Sequence, residues 1–289
     1  MLNIAMPTSL IAEELEALTD FVFRINASEG SAYCSNKRSI IREELAEHAK
    51  NGCLAVCGEL PDALTGAAFC FYSEEHHMAD FSLLIAPEAD YLQAADGMFK
   101  AISEKLPKET QCNFFFPKQN RRCAAFLEAQ HAKREVNEYG LLLLRGQERN
   151  LAATEGIAEL AQEDAAEFAA LHDAVFPEVY ISGKEILAAI GKDRKVYVLK
   201  KDGKPLAYGV LQRRSETRSA AEIIGVREGY RHQGYGRRIL SELIRRGFAD
   251  EKTEKLDLIV DCDNENAMKL YFDLGFETEF ENCCYRIQL

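Results

Sequence analysis

One segment restricts the fold of this chain more than any other. Ala221-Glu222-Ile223-Ile224-Gly225-Val226 reads as a strand, a four-residue turn follows, and Arg231-His232-Gln233-Gly234-Tyr235-Gly236-Arg237-Arg238 opens a helix. The helix is amphipathic, with Ile239, Leu240, Leu243, Ile244 and Phe248 on its buried side. Strand, glycine-rich bend and helix in succession mark an α/β chain. The first backbone N–H groups of a helix have no partner, and the helix dipole adds partial positive charge there. Side chains at 234 and 236 would obstruct an approaching anion, so the two glycines make the bend a candidate pyrophosphate cradle. Arg231, Arg237 and Arg238 add countercharge. A Walker loop needs Gly-Lys-Ser/Thr, and here Gly236 is followed by two arginines. A dinucleotide fingerprint needs a third small residue where Ile239 stands.

The rest of the composition narrows the function classes. With a net charge of −12, the chain lacks the basic surface that sequence-independent binding to nucleic acid requires. No stretch approaches the roughly 20 apolar residues of a membrane span, and no signal peptide is read at the N-terminus. The expectation is a soluble cytoplasmic protein with neither nucleic acid nor membrane as partner. Nine cysteines form no CxxC pair, and the six histidines do not join them in a zinc spacing. They read as free thiols, Cys53 and Cys57 as small core residues, and no metal site is expected.

At 289 residues the chain has the length of two domains. Helical spacing covers 10–22 and 38–50, for example Ile11, Leu15, Leu18 and Val22. Strands follow at 53–58, 66–72 and 79–85, then a helix near 90–105, a strand at 112–116, a helix at 121–131 and a strand at 139–145. After the polar stretch 146–150 the order recurs: helices at 163–175 and 183–190, strands at 195–200, 205–213 and 220–226, a helix at 235–248, a strand at 256–260, a helix at 265–274, and closing strands to Leu289. Asn264, Ala267, Leu270 and Tyr271 align with Asn120, Cys123, Phe126 and Leu127 at a constant offset of 144. The chain reads as a tandem duplication, with halves at 1–147 and 148–289.

Arg231, Gly234 and Gly236 satisfy the Gln/Arg-x-x-Gly-x-Gly/Ala pattern, and this segment resembles the acyl-CoA motif of the GNAT superfamily of N-acetyltransferases. The stretch from Asn264 through Ala267, Leu270 and Tyr271 to Gly275-Phe276 is similar to the next motif of that superfamily. The resemblance covers roughly 150–289. It implies two GNAT-like domains in tandem, α/β with mixed sheets, the first a degenerate copy.

The resemblance also implies roles. Ile224 and Val226 lie on the strand that pairs with the pantetheine arm of acetyl-CoA, and the backbone of Arg231, His232, Gln233, Gly234, Tyr235, Gly236 and Arg237 binds the pyrophosphate. Asn264 begins the helix beside the thioester, and Tyr271 takes the place of the general acid. The implied reaction is direct transfer of acetyl to a primary amine of a small molecule or peptide. Glu222 shares strand parity with Ile224 and Val226, which makes it a candidate base against the plainer reading of a solvated carboxylate. His172 is a weaker candidate, read as a helix-surface histidine. The acceptor side is expected around 176–182 and 214–219. Two alternatives stand beside this reading: a non-catalytic acyl-CoA sensor, and an acyl or aminoacyl transferase with another donor. In the first half, aligning Ile85 with Val226 sets Asp90 against Arg231, and Gln93 and Ala95 against the two glycines. Carboxylates there would repel a pyrophosphate, so no acetyl-CoA is expected in that half.

Overall fold

The structure is a computed structural model that describes residues 2–177 and 181–289. The candidate acceptor stretch 176–182 therefore lies partly outside the described residues. The chain divides into two compact units, residues 1–138 with 281–289, and residues 139–280.

Unit 1 contains β1 (Ile4–Ala5), α1 (Ala12–Glu29), α2 (Arg38–Lys50), β2 (Leu54–Glu59), β3 (Ala63–Ser73), β4 (Met78–Ile85), α3 (Tyr91–Ser103), β5 (Gln111–Pro117), α4 (Arg121–Ala129) and β6 (Lys133–Arg134). Its strands run β1-β2-β3-β4-β5 and then the end of β13, with β6 beside β13. One face carries α1 and α2, whose Leu18, Val22, Ile41 and Leu45 pack on Leu54, Val56 and Phe69. The other carries α3 and α4, with Met98, Phe99 and Phe126 on Ala55, Phe81 and Phe114. Ile11, counted in the helical spacing of 10–22, is 65% exposed and stands at the N-cap position of α1, its N–H donating to Glu14 Oε2 at 3.0 Å.

Unit 2 contains β7 (Glu138–Leu144, of which Glu138 belongs to unit 1), β8 (Ile157–Glu159), α5 (Ala165–Val175), α6 (Gly183–Ala188), β9 (Arg194–Lys201), β10 (Lys204–Arg213), β11 (Arg218–Val226), α7 (Tyr235–Gly247), β12 (Lys255–Asp261), α8 (Glu265–Asp273) and the start of β13 (Glu277–Gln288). The strand order is β7-β12-β11-β10-β9-β8. Ile239, Leu240, Leu243 and Ile244 of α7 do form its buried stripe. They come so close to β10 that a Cβ at Gly209 would meet Ile239 and Leu243 at 2.7 and 2.8 Å. On the other face Phe168, Leu171 and Ile186 from α5 and α6 cover Val196, Val198, Tyr208 and Val210.

The domain boundary expected at 147/148 differs from these units. The strand 139–144 enters the second unit, where Leu141 and Leu143 join Leu258 and Leu274 in the core. The last strand instead ends in the first unit, Asn282 to Gln288 pairing antiparallel with Pro117 to Gln111. Each half thus closes its sheet with a strand from the other half of the sequence. The run of four leucines, Leu141–Leu144, marks a buried strand, but a local pattern carries no label for the sheet that takes it.

His48, on α2, is 5% exposed between the rings of Phe69 and Phe71 at 5.0 and 4.5 Å. Its Nε2 has no hydrogen-bond partner among the described residues. Burial pulls its pKa down to about 4, from 6.5 for an ordinary histidine. The unfolded chain takes up this proton below pH 6.5 and the folded one does not until about pH 4, so stability falls across that window. The His48→Leu variant should lose up to ~3 kcal/mol less than the wild type between pH 7 and pH 4.5. Urea unfolding of both proteins at the two pH values checks this, and equal losses would mean that His48 is not held neutral.

Candidate functional site

β11 pairs with β10 along its length, but with β12 only at Arg218↔Lys255, Ser219↔Leu256 and Ala220↔Asp257. Beyond Ala220 the two parallel strands diverge. The register with β10 steps from Val210↔Ile223 to Leu211↔Ala221, leaving Glu222 as the extra residue of a bulge. Past the bulge, Ile224 and Val226 pack against the α7 core while Ile223 joins the α5–α6 core. The edge of β11 that faces the gap is unpaired with β12 from Ala221 to Val226.

Glu222 departs from its expected place. It accepts from Arg194 at 2.7 Å, and Arg194 also donates to Gln212 at 2.7 Å. Arg194 alternates with Val196 and Val198, which pack under α5 and α6, so Glu222 turns to that face and not to the face of Ile224 and Val226. The inserted residue reverses the parity on which the expectation rested. With its side chain 8% exposed, Glu222 is not a solvated carboxylate either.

At the far end of β11, residues 227–234 turn into α7. The turn holds itself by Arg227 N–H to Leu206 O, Tyr230 N–H to Arg227 O and Gln233 Nε2 to Gly229 O. His232 and Gly234 both have positive φ, 61° and 84°. The latter makes glycine the fitting residue at the N-cap of α7. No side chain caps this helix, so the N–H groups of Tyr235, Gly236 and Arg237 stand in its first turn without the usual cap. A Cβ at Gly236 would meet only Leu270 and Val226, both at 3.9 Å, and a Cβ at Gly234 nothing within 4 Å. Glycine at 236 therefore answers no packing demand among the described residues, though it weakens a helix by about 1 kcal/mol against alanine.

The arginines are divided. Arg231 stays at the turn, its Nε donating to Val226 O at 3.3 Å. Arg237 instead reaches Asn150 O and the Asp273 carboxylate, and Arg238 reaches Ala153 O and Glu155 O. Their side chains tie down the segment before β8, so the countercharge expected from them is directed elsewhere.

α8 lies on the same face as α7. Asn264 begins this helix as its N-cap, Oδ1 accepting from Ala267 N–H at 3.2 Å. Tyr271 packs half-buried against the α7 core, 6.1 Å from the Phe276 ring. No hydrogen bond to its hydroxyl is found among the described residues, and burial pushes its pKa up to about 12. It is thus a neutral O–H donor at any physiological pH. His172 is fully buried, not on the surface: Nδ1 lies 2.7 Å from the Tyr208 hydroxyl and Nε2 2.8 Å from Ile181 O. Tyr208 crosses beneath Gly225, where a Cβ would meet its ring at 2.2 Å. This buried pair left no mark in the sequence beyond the glycine opposite the tyrosine.

Unit 1 contains the same divergence, filled by protein. β4 pairs with β5 from Met78↔Gln111 to Phe81↔Phe114 and then separates. Ala32 N–H donates to Phe115 O at 2.8 Å, and Ser82 Oγ to Ser31 Oγ at 2.9 Å. Arg122 donates to Ile85 O, Ala86 O and Pro87 O, pairs with Glu29 at 2.6 Å, and lies over the Tyr91 ring at 4.9 Å. The turn before α3, residues 86–90, is three residues shorter than 227–234. Helix starts therefore match Asp90 with Gly234, correcting the alignment with Arg231. The Asp90 carboxylate accepts from Gln93 N–H at 3.2 Å and caps α3 where α7 has no cap.

The profile of the Acetyltransferase (GNAT) family matches residues 157–276, which span β8 to the end of α8. No curated protein matches the chain significantly. Over 99% of its length the chain is similar to 95% of the GCN5-related N-acetyltransferase from Sphaerobacter thermophilus, with a TM-score of 0.75 at 12% identity. It is similar over 100% of its length to 98% of a tandem GNAT protein from the clavulanic acid biosynthesis pathway, TM-score 0.68 at 14% identity. A GCN5-related N-acetyltransferase from Kribbella flavida shares the fold over 96% of this chain and 95% of its own, TM-score 0.57 at 14% identity.

If Gly236 is kept for something outside the chain, Gly236→Ala should leave folding intact. The expected result is stability unchanged or raised by up to about 1 kcal/mol in denaturant unfolding. A clear loss would place the reason for the glycine inside the chain.

Proposed function

Residues 157–276 belong to the GNAT family of acetyltransferases, in a chain with the tandem GNAT fold, and on that premise we propose that unit 2 transfers the acetyl group of acetyl-CoA to a primary amine of a small molecule or peptide. The observation that carries the reading is the bare, glycine-lined N-terminus of α7 at the end of an unpaired strand edge. Acyl-CoA, the donor this family uses, has the chemistry for both features. A pyrophosphate accepts from uncapped N–H groups in the field of the helix dipole, and an amide-bearing pantetheine arm pairs with a free strand edge as an added strand.

Within this reading the backbone from Arg231 to Arg237 holds the pyrophosphate, with the Arg231 guanidinium beside it. Ile224 and Val226 present the strand edge. The amine attacks the thioester carbon as the free base, as the C–S bond breaks Tyr271 gives its phenolic proton to the departing sulfur, and the proton lost by the amine nitrogen restores the phenol. A thiolate leaves more readily with a hydrogen-bond donor beside it, and burial keeps the Tyr271 hydroxyl protonated, although the same burial makes it the weaker acid. Glu222 is assigned no part in the chemistry, because it faces away from Ile224 and Val226 and is bound to Arg194. Unit 1 is assigned no cofactor, since Arg122 and Asp90 already occupy the corresponding places.

Calorimetry with acetyl-CoA should give one equivalent per chain, and Gly234→Asp should abolish binding while the melting curve persists. Two equivalents, or unaltered affinity in that variant, would refute the site. Release of free CoA with a panel of amines separates an enzyme from a non-catalytic acyl-CoA binder. Tyr271→Phe should keep the affinity and lower single-turnover transfer by roughly 10²–10⁴-fold. Equal turnover would leave Tyr271 a packing residue.

A further inference from the structure

All nine cysteines are free thiols, and all but Cys262 are buried. Two of them face each other across neighbouring strands. The register of β2 and β3 sets Leu54 against Phe69, and one step on, Cys70 N–H donates to Cys53 O at 3.1 Å. Directly opposed residues of an antiparallel pair have Cα atoms about 4.5–5.5 Å apart, within the ~4.4–6.8 Å that a disulfide spans. Both side chains lie in the core beneath α3, and the Cys53 thiol donates to Asn51 O at 3.7 Å, at the edge of that core.

The neighbouring Cys70 side chain pulls the Cys53 thiol down to about 7, against the opposing effect of burial. Cys70 is pushed up by Cys53 and by burial. Burial pushes Cys34, Cys112 and Cys123 up to about 12 and raises Cys283 as well. Cys53 is also the more accessible of the pair, 9% exposed against 1% for Cys70, beside the Asn51-Gly52 turn. Cys112 cannot compete for Cys70. It lies on β5, two strands away, and two strand spacings are about 10 Å.

We propose that Cys53 and Cys70 are a reversible dithiol–disulfide site oxidised by hydroperoxides, independent of acyl transfer and confined to unit 1. The Cys53 thiolate attacks the peroxide, the O–O bond breaks, and water or an alcohol leaves after taking up a proton, giving a sulfenic acid at Cys53. The Cys70 sulfur then attacks the sulfenic sulfur, its proton leaves with the hydroxyl as water, and the S–S bond forms. Two thiols are oxidised by two electrons and one hydroperoxide is reduced. The bond braces β2 to β3 beside the end of α2.

The full-length protein treated with hydrogen peroxide should lose two hydrogen atoms by intact mass, and a non-reducing peptide map should show Cys53 linked to Cys70. Dithiothreitol should restore the starting mass. Cys53→Ser and Cys70→Ser should each abolish the link, Cys262→Ser should leave it, and Cys70→Ala should leave a sulfenic acid at Cys53 that dimedone traps. The wild-type map does not depend on how the variants fold. Oxidation of Cys53 to the sulfinic acid without a link, a link between other cysteines, or oxidation confined to Cys262 would each overturn the proposal.

Discussion

The divergence of β11 from β12 is the constraint on which the candidate site depends. Backbone N–H and C=O groups withdrawn from a ladder must find another partner, because leaving them buried and unpaired is costly. The bulge at Glu222 lies just beyond the last paired residue, Ala220, and is pinned by Arg194 and Gln212. An ion pair far from the glycine turn thus helps to shape the strand edge that the turn continues. The glycine turn then delivers the chain to α7 with its first N–H groups uncapped.

Duplication makes the chemistry of this gap easier to see. Both units separate a parallel strand pair after a few residues, and both start a helix beyond the end of the separated strand. Unit 1 meets its free carbonyls with a guanidinium, Arg122, and its helix N-terminus with a carboxylate, Asp90. Offset by 144, the counterpart of Arg122 is Asn266, too short for the same reach, and the counterpart of Asp90 by helix start is Gly234. One fold therefore supplies two outcomes, a gap sealed by its own side chains and a gap that they leave open.

Much of this was legible in the sequence because it depends on neighbours in the chain. The helices at 38–50 and 235–247, the strands around them, and the paired starts at Asn120 and Asn264 follow from periodicity and capping. The turn at 231–236 was readable because glycine and helix start are adjacent. The burial of His172 was not, since its partner Tyr208 is 36 residues away. Nor was the diversion of Arg237 and Arg238 to the segment before β8, which depends on where distant backbone carbonyls come to lie.

By itself the sequence determined the order of the elements, the duplication, and the glycine-rich helix start with its family resemblance, all set by local conformational preference. Only the tertiary structure decided which face Glu222 takes, because a bulge is a mismatch between two strands and exists in neither alone. It also decided where the halves end. A buried strand such as 139–144 satisfies its hydrogen bonds and its leucines in either sheet, and only the assembled cores select the one that takes it.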